Sequence, residues 1–122
     1  MTGVQTCALP IYTSRLAISL YLRGSFNGWG ATSALDSQGS GLYMSSCSLS
    51  AGTKYEFKFG SSDWSLSYGY SSMSYDSARG GLDSSYFSEG SENSNIAFTP
   101  PSSGSYRFWY SPATASYWVM AQ

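Results

Sequence analysis

The chain contains no histidine and few charged residues. Among its 122 residues, charged side chains make up 11% and the formal net charge is −1. Without histidine the chain lacks the commonest general base and the commonest metal ligand. Without a basic stripe it lacks the surface that attracts nucleic acid or an anionic membrane. We therefore expect no nucleic-acid partner, no membrane partner, no cofactor and no metal site.

Long apolar segments are also missing. No run of apolar residues approaches the ~20 that a membrane-spanning helix needs, and no segment has the period of a long amphipathic helix. A length of 122 residues is typical of one domain with a single core. We expect a monomer.

The first eleven residues differ in composition from the remainder. Residues 1–11 read Met-Thr-Gly-Val-Gln-Thr-Cys-Ala-Leu-Pro-Ile, which is similar to the translated end of a sequencing-library adapter. The segment has no basic start and too short an apolar stretch for a secretory signal, although a short native arm or a truncated signal stays open as an alternative. We expect a non-native segment over 1–11 and one module over 12–122, a metagenomic fragment of a longer protein. Cys7 would then be accidental, and Cys47 a small packed hydrophobe without a disulfide.

Tyrosine, phenylalanine, serine and glycine are abundant, and they occur in short alternating segments. In Lys54–Phe59, for example, Tyr55, Phe57 and Phe59 share one face, as in a half-buried strand. Strands are predicted over 16–23, 42–49, 54–59, 95–99, 106–110 and 116–120, with a short one near 66–70. Residues 31–41 and 60–93 are predicted as loops. The pattern predicts an all-β fold, an antiparallel immunoglobulin-like β-sandwich of about seven strands.

Two tryptophans follow strand ends in polar surroundings. Trp29 closes Gly24-Ser-Phe-Asn-Gly-Trp, in which Asn27-Gly28 favours a chain reversal, and Trp64 lies in Ser-Ser-Asp-Trp-Ser after the Lys54–Phe59 strand. Exposed indoles with few charges around them suit a neutral, polyhydroxylated ligand such as a sugar polymer. Alternatively, each indole could be buried and close one end of the sandwich. Lys58 could likewise be an ordinary lysine on the solvent-exposed face of the sheet.

These segments, in this order and with the Asn-rich 93–96 stretch, resemble the α-glucan-binding modules of carbohydrate-binding family 48 and those appended to bacterial amylases and pullulanases. The resemblance covers about residues 18–99. It implies a non-catalytic module that binds starch or glycogen and directs an attached glycoside hydrolase to its substrate. By resemblance, Trp29 and Trp64 are sugar-stacking plates, Lys58 bonds hydroxyls between them, and Asn93 or Asn95 completes the polar contacts.

The long 65–93 segment departs from the compact members of that family and leaves open which asparagine contributes, because either asparagine could instead bond its own backbone. Secretion is expected from the resemblance and from the low-charge composition. Two other functions are alternatives. A structural spacer would bury both indoles, whereas a free-standing glycosidase needs a positioned pair of carboxylates. The seven acidic residues form no recognisable pair in the sequence.

Further aromatic residues lie outside this motif. Trp109 and Trp118 are predicted on the face of their strands opposite the core, as a packing contact to a neighbouring domain or as another glycan site. The tyrosines of the long segment, Tyr68, Tyr70 and Tyr75, are candidates for extending the binding platform.

Overall fold

The computed structural model describes residues 19–122. Within this range the chain forms ten β-strands and three single 3-10 turns. The strands are β1 (Tyr21–Gly24), β2 (Asp36–Gly39), β3 (Leu42–Leu49), β4 (Tyr55–Gly60), β5 (Ser67–Tyr68), β6 (Ser74–Tyr75), β7 (Phe87–Glu89), β8 (Ile96–Phe98), β9 (Gly104–Ser111) and β10 (Ser116–Ala121). No helix among the described residues is long and apolar enough to cross a bilayer. The prediction for residues 1–11 lies outside the described range.

The strands form two five-stranded sheets. Sheet 1 has the order β1-β4-β8-β7, and β5 pairs with the end of β4; sheet 2 has the order β2-β3-β9-β10-β6. All pairs are antiparallel except β6 with β10. The predicted all-β, immunoglobulin-like sandwich is therefore confirmed, although with more strands than the seven expected.

Aromatic rings from the two sheets fill the space between them. Phe57 of sheet 1 contacts Phe108 of sheet 2 edge to face, with ring centroids 5.1 Å apart, and Phe59 stacks on Tyr110 at 5.3 Å. These four residues are buried, as the alternation of β4 and β9 predicted. Burying each such side chain contributes roughly 1.5–3 kcal/mol, and offset or edge-to-face pairs add further stabilisation. The residues of β1 and β4 that alternate with these core residues therefore lie on the outer face of sheet 1.

The structure corrects the predicted element bounds in the glycine- and serine-rich segments. The loop predicted over 31–41 contains β2, and the loop predicted over 60–93 contains β6 and β7 as well as the expected short strand, β5. These strands have two to four residues, which is too short for a period-two pattern to be recognised. The strand predicted over 16–23 is described only from residue 19, and β1 begins at Tyr21.

Candidate functional site

The turn after β1 fixes the backbone of Trp29. The side chain of Asn27 accepts a hydrogen bond from the Gly24 amide at 3.0 Å and donates one to the Leu22 carbonyl at 2.9 Å. The Trp29 amide donates to the Gly24 carbonyl at 2.8 Å. Gly28 and Trp29 both have a φ of 62°. The turn that this hydrogen bond closes contains the predicted Asn27-Gly28 pair, but the positive φ values fall on Gly28 and Trp29.

The loop after β4 fixes Trp64 in a similar way. The Asp63 carboxylate accepts from the Ser65 amide at 2.9 Å and from the Ser61 hydroxyl at 3.0 Å. These bonds, the one from the Ser65 amide first, lower the pKa of Asp63. The Trp64 indole lies directly over Gly60: a Cβ at Gly60 would come within 2.6 Å of Trp64 Cζ3. A glycine at position 60 is thus what lets the indole lie against the sheet.

The two tryptophans meet on the same end of the molecule. Their ring centroids are 6.3 Å apart and their planes are inclined by 50°. Trp64 is 39% exposed and Trp29 is partly buried. The indoles form one continuous, angled aromatic surface rather than two separate plates.

The backbone is strained under this surface. Six non-glycine residues within 19–122 have a positive φ, and three of them are the predicted site residues Trp29, Trp64 and Asn93. A positive φ is uncommon for a bulky residue and costs of order 1–3 kcal/mol, and such residues cluster at functional sites. Trp29 and Trp64 are thus held in their loops at a cost in backbone energy.

Arg23 lies against the Trp64 indole and holds both loops. Its Nε donates to the Trp29 carbonyl at 2.7 Å, and its Nη1 donates to the carbonyls of Ser61 and Ser62 at 2.7 and 3.1 Å. Its guanidinium carbon lies 3.8 Å from the centre of the Trp64 ring, within the range of a cation–π contact. Arg23 is only 8% exposed, and its positive charge is compensated by these carbonyls and by the indole face. The residue sets the relative position of the two loops.

Lys58 and Asn93 lie beside this surface. Lys58 is the cross-strand partner of Arg23 in the β1–β4 pair, and its Nζ donates to the Asn93 carbonyl at 2.6 Å. A lysine has three N–H donors, so two remain for other partners. The Asn93 side chain is exposed and makes no hydrogen bond within the described part of the chain. Both residues can therefore offer polar contacts at the surface.

The structure separates the two candidate asparagines. Asn95 is buried, at 6% exposure, and its Nδ2 donates to Glu56 Oε1 at 3.0 Å. The Glu56 carboxylate also accepts from the Ser91 amide at 3.0 Å and from the Ser91 hydroxyl at 3.2 Å. The bond from Asn95 is the main cause of the lowered pKa of Glu56, followed among the lowering effects by the bond from the Ser91 amide. Asn95 and Glu56 thus tie the segment that carries Asn93 to β4.

Arg23 is not among the site residues predicted from the sequence. The structure brings Trp29, Trp64 and Lys58 together around this residue, places Asn93 next to Lys58, and turns Asn95 inward. In the sequence, Arg23 is a positively charged residue on the polar face of a strand, immediately before the Gly24–Trp29 motif. A solvent-exposed arginine would show the same pattern, and only the tertiary structure shows that Arg23 is buried between the two loops.

The other tryptophan pair lies on the outer face of sheet 2. Trp109 and Trp118 are cross-strand partners and stack with their ring centroids 5.9 Å apart. The Arg79 guanidinium covers Trp118, its carbon 4.6 Å from the ring centre, and Trp118 is only 3% exposed. Trp109 Nε1 is buried without a hydrogen-bond partner among residues 19–122. Trp118 is therefore already covered within the chain and offers little surface to a ligand.

Among the described residues, no group of three or more histidine, cysteine or acidic side chains is arranged to hold a metal ion. No protein-family model matches the chain, and no curated protein matches it significantly.

Proposed function

We propose that this domain is a non-catalytic module that binds α-glucans such as starch, glycogen and maltooligosaccharides, and that it directs an attached, secreted glycoside hydrolase to its substrate. The supporting observation is the angled pair formed by Trp64, which is 39% exposed, and Trp29, which is partly buried. An α-glucan chain curves along its length, and two aromatic faces inclined by 50° can follow such a curve. Sugar rings present apolar C–H faces, which suit an indole.

The polar groups beside the indoles suit a neutral ligand with many hydroxyls. Lys58 keeps two N–H donors, and the Asn93 amide offers both a donor and an acceptor. Asn95 has a supporting role in this proposal, because its amide bonds Glu56. Arg23 has a positioning role, since its N–H groups are directed at backbone carbonyls.

The magnitudes correspond to a weak binder. An indole face that covers ~100 Å² of ligand contributes roughly 2–3 kcal/mol. Two faces and a few hydrogen bonds of about 1 kcal/mol each are offset by at least ~4 kcal/mol of lost ligand freedom. The net gain of roughly 3–5 kcal/mol corresponds to a dissociation constant between about 0.2 and 6 mM. A polymer with many equivalent sites increases retention well beyond this affinity.

The test is affinity electrophoresis in gels that contain amylopectin, cellulose or xylan. We expect retardation by amylopectin alone, and loss of that retardation in the double variant Trp29→Ala/Trp64→Ala. Tyr86→Ala is the matched control, because Tyr86 is 38% exposed and lies outside the site. Circular dichroism verifies that all variants are folded.

Retardation of the double variant equal to that of the unaltered chain would contradict the assignment of the site. Absence of retardation in the unaltered chain would instead favour the alternative, an immunoglobulin-like spacer that packs against a catalytic domain. Trp109, whose Nε1 lacks a partner among residues 19–122, would then be the first residue to examine for that contact.

A further inference from the structure

A cleft lies at the edge of the sandwich, where β6 of sheet 2 meets β7 of sheet 1. Tyr75 of β6 stacks on Phe87 of β7, with ring centroids 4.5 Å apart. The cleft next to this pair has about 450 Å³, a volume in the usual range for small-ligand sites. Four aromatic rings and two serines account for most of its wall: Tyr70, Tyr75, Phe87, Tyr117, Ser74 and Ser84.

The cleft combines aromatic surface with free hydroxyl groups and has no charged side chain in its wall. Tyr117 is 2% exposed, and its hydroxyl makes no hydrogen bond within residues 19–122, whereas the Tyr75 hydroxyl donates to the Leu82 carbonyl at 2.6 Å. Because Tyr117 lines the cleft, its hydroxyl is placed to bond a ligand hydroxyl there, as donor or as acceptor.

The cleft is connected to the candidate site through one short junction. The Tyr70 amide donates to the Ser94 carbonyl at 2.7 Å, and the hydroxyls of Ser71 and Ser94 lie 2.6 Å apart. Ser94 directly follows Asn93, whose carbonyl accepts from Lys58. Tyr70, at 43% exposure, therefore lies between the Lys58–Asn93 contact and the cleft.

We propose that this cleft is a further subsite, which takes a glucosyl unit of the same α-glucan chain after it has crossed from the indoles over Lys58 and Asn93. Tyr70 provides a ring for that unit to stack on, and Tyr117 provides a hydroxyl at the back of the cleft. The proposal rests on the proposed function, and it adds a length requirement. A short oligosaccharide reaches the indoles alone, whereas a longer one reaches both places.

The test is titration calorimetry with maltotriose and maltoheptaose. We expect Tyr70→Ala to lower the affinity for maltoheptaose by about tenfold, since stacking on one ring is lost, and to leave the affinity for maltotriose within about twofold. Trp64→Ala should weaken the binding of both sugars. Tyr86→Ala is again the control, because Tyr86 is exposed to a similar extent and does not line the cleft.

Tyr117→Phe isolates the hydroxyl, because it keeps the buried ring. We expect the affinity for maltoheptaose to fall by about threefold to tenfold, as for one lost hydrogen bond, with no change for maltotriose. If Tyr70→Ala and Tyr117→Phe bind both sugars like the unaltered chain while Trp64→Ala does not, the subsite is overturned and the proposed function stands. If the unaltered chain binds neither sugar, the proposed function is overturned, and the subsite with it.

Discussion

At the scale of single residues, Arg23 decides the shape of the candidate site. A planar guanidinium can donate in several fixed directions and lie against an indole at the same time. Arg23 uses both properties, toward the Trp29 carbonyl, the Ser61 carbonyl and the Trp64 ring. A lysine keeps the charge but lacks the planar fork, so it cannot make all three contacts.

We therefore expect Arg23→Lys to lower the affinity for amylopectin by about tenfold and the free energy of unfolding by about 2 kcal/mol. The matched control is Arg107→Lys, because Arg107 is exposed on the outer face of sheet 2. Affinity electrophoresis and urea unfolding measure the two effects, and near-ultraviolet circular dichroism follows the coupling of the two indoles. Full affinity in Arg23→Lys would show that the arginine does not position the site.

The residues of the site differ in how far the sequence identifies them. The alternation of β4 places Lys58 on the outer face and Phe57 inside, and the structure agrees. Asn93 and Asn95 are two positions apart in a segment without periodicity, and nothing local indicates which side chain turns inward. That choice is made by Glu56, which bonds Asn95 from a different strand. A contact between residues 39 positions apart is not encoded in any local pattern.

At the scale of elements, the β7–β8 connection is held by one carboxylate. Glu56 accepts from Asn95 and twice from Ser91, and the Gly90 amide donates to the Asn95 carbonyl at 2.7 Å. Asn93 is carried on this connection, so its position depends on β4. The predicted loop over 60–93 is also held by strand pairing, since β5 pairs with β4, β6 with β10 and β7 with β8.

Replacing Glu56 by glutamine should loosen the β7–β8 connection, because a glutamine amide has one acceptor oxygen and its NH₂ group opposes the Ser91 amide. We expect a loss of about 1 kcal/mol in the free energy of unfolding at pH 7. The folded-state pKa of Glu56 is lowered from the usual 4.5, so its stabilisation is present above that pH and is lost as the pH falls below it.

Urea unfolding of the unaltered chain and of Glu56→Gln at pH 7 and at successively lower pH measures this difference. The two stabilities should converge as the pH falls below 4.5, the usual pKa of the group. A difference that does not depend on pH would indicate that the carboxylate charge has no part in holding the connection.

At the scale of the whole molecule, stability depends on an aromatic core that contains phenol groups. Tyr110 and Tyr117 are buried, at 4% and 2% exposure. Burial, with a smaller effect from Tyr68, raises the pKa of Tyr110 from 10.0 to about 12. Burial also raises the pKa of Tyr117, with smaller effects from Tyr75 and Tyr70. The fold therefore favours the neutral phenols.

This arrangement predicts sensitivity to alkali. Unfolded tyrosines lose their proton near pH 10, whereas the folded ones keep it. The contribution of these tyrosines to the free energy of unfolding should therefore be constant below pH 10 and fall as the pH rises from about 10 to about 12. The slope is at most about 1.4 kcal/mol per pH unit for each phenol. Urea unfolding between pH 8 and 11 measures it. Tyr110→Phe should reduce the slope, and an unchanged slope in that variant would contradict the assignment.

The fold class follows from composition and alternation because a two-sheet core needs only apolar faces and turns, both of which are visible in β3, β4, β9 and β10. The shape of the candidate site does not follow in the same way, because it depends on contacts between loops that are distant in the chain. Ser61 and Trp29 belong to different loops, and Arg23 is the residue that joins them.

The position of Arg23 under both loops also has an evolutionary consequence. Under the proposed function, exchange of a single indole should change ligand preference gradually, because the other indole remains in place. A substitution of Arg23 would instead remove the hydrogen bonds to the Trp29 and Ser61 carbonyls together. Descendants of this domain are then free to diversify the rings that face outward, and they are constrained at the arginine that no ligand needs to touch.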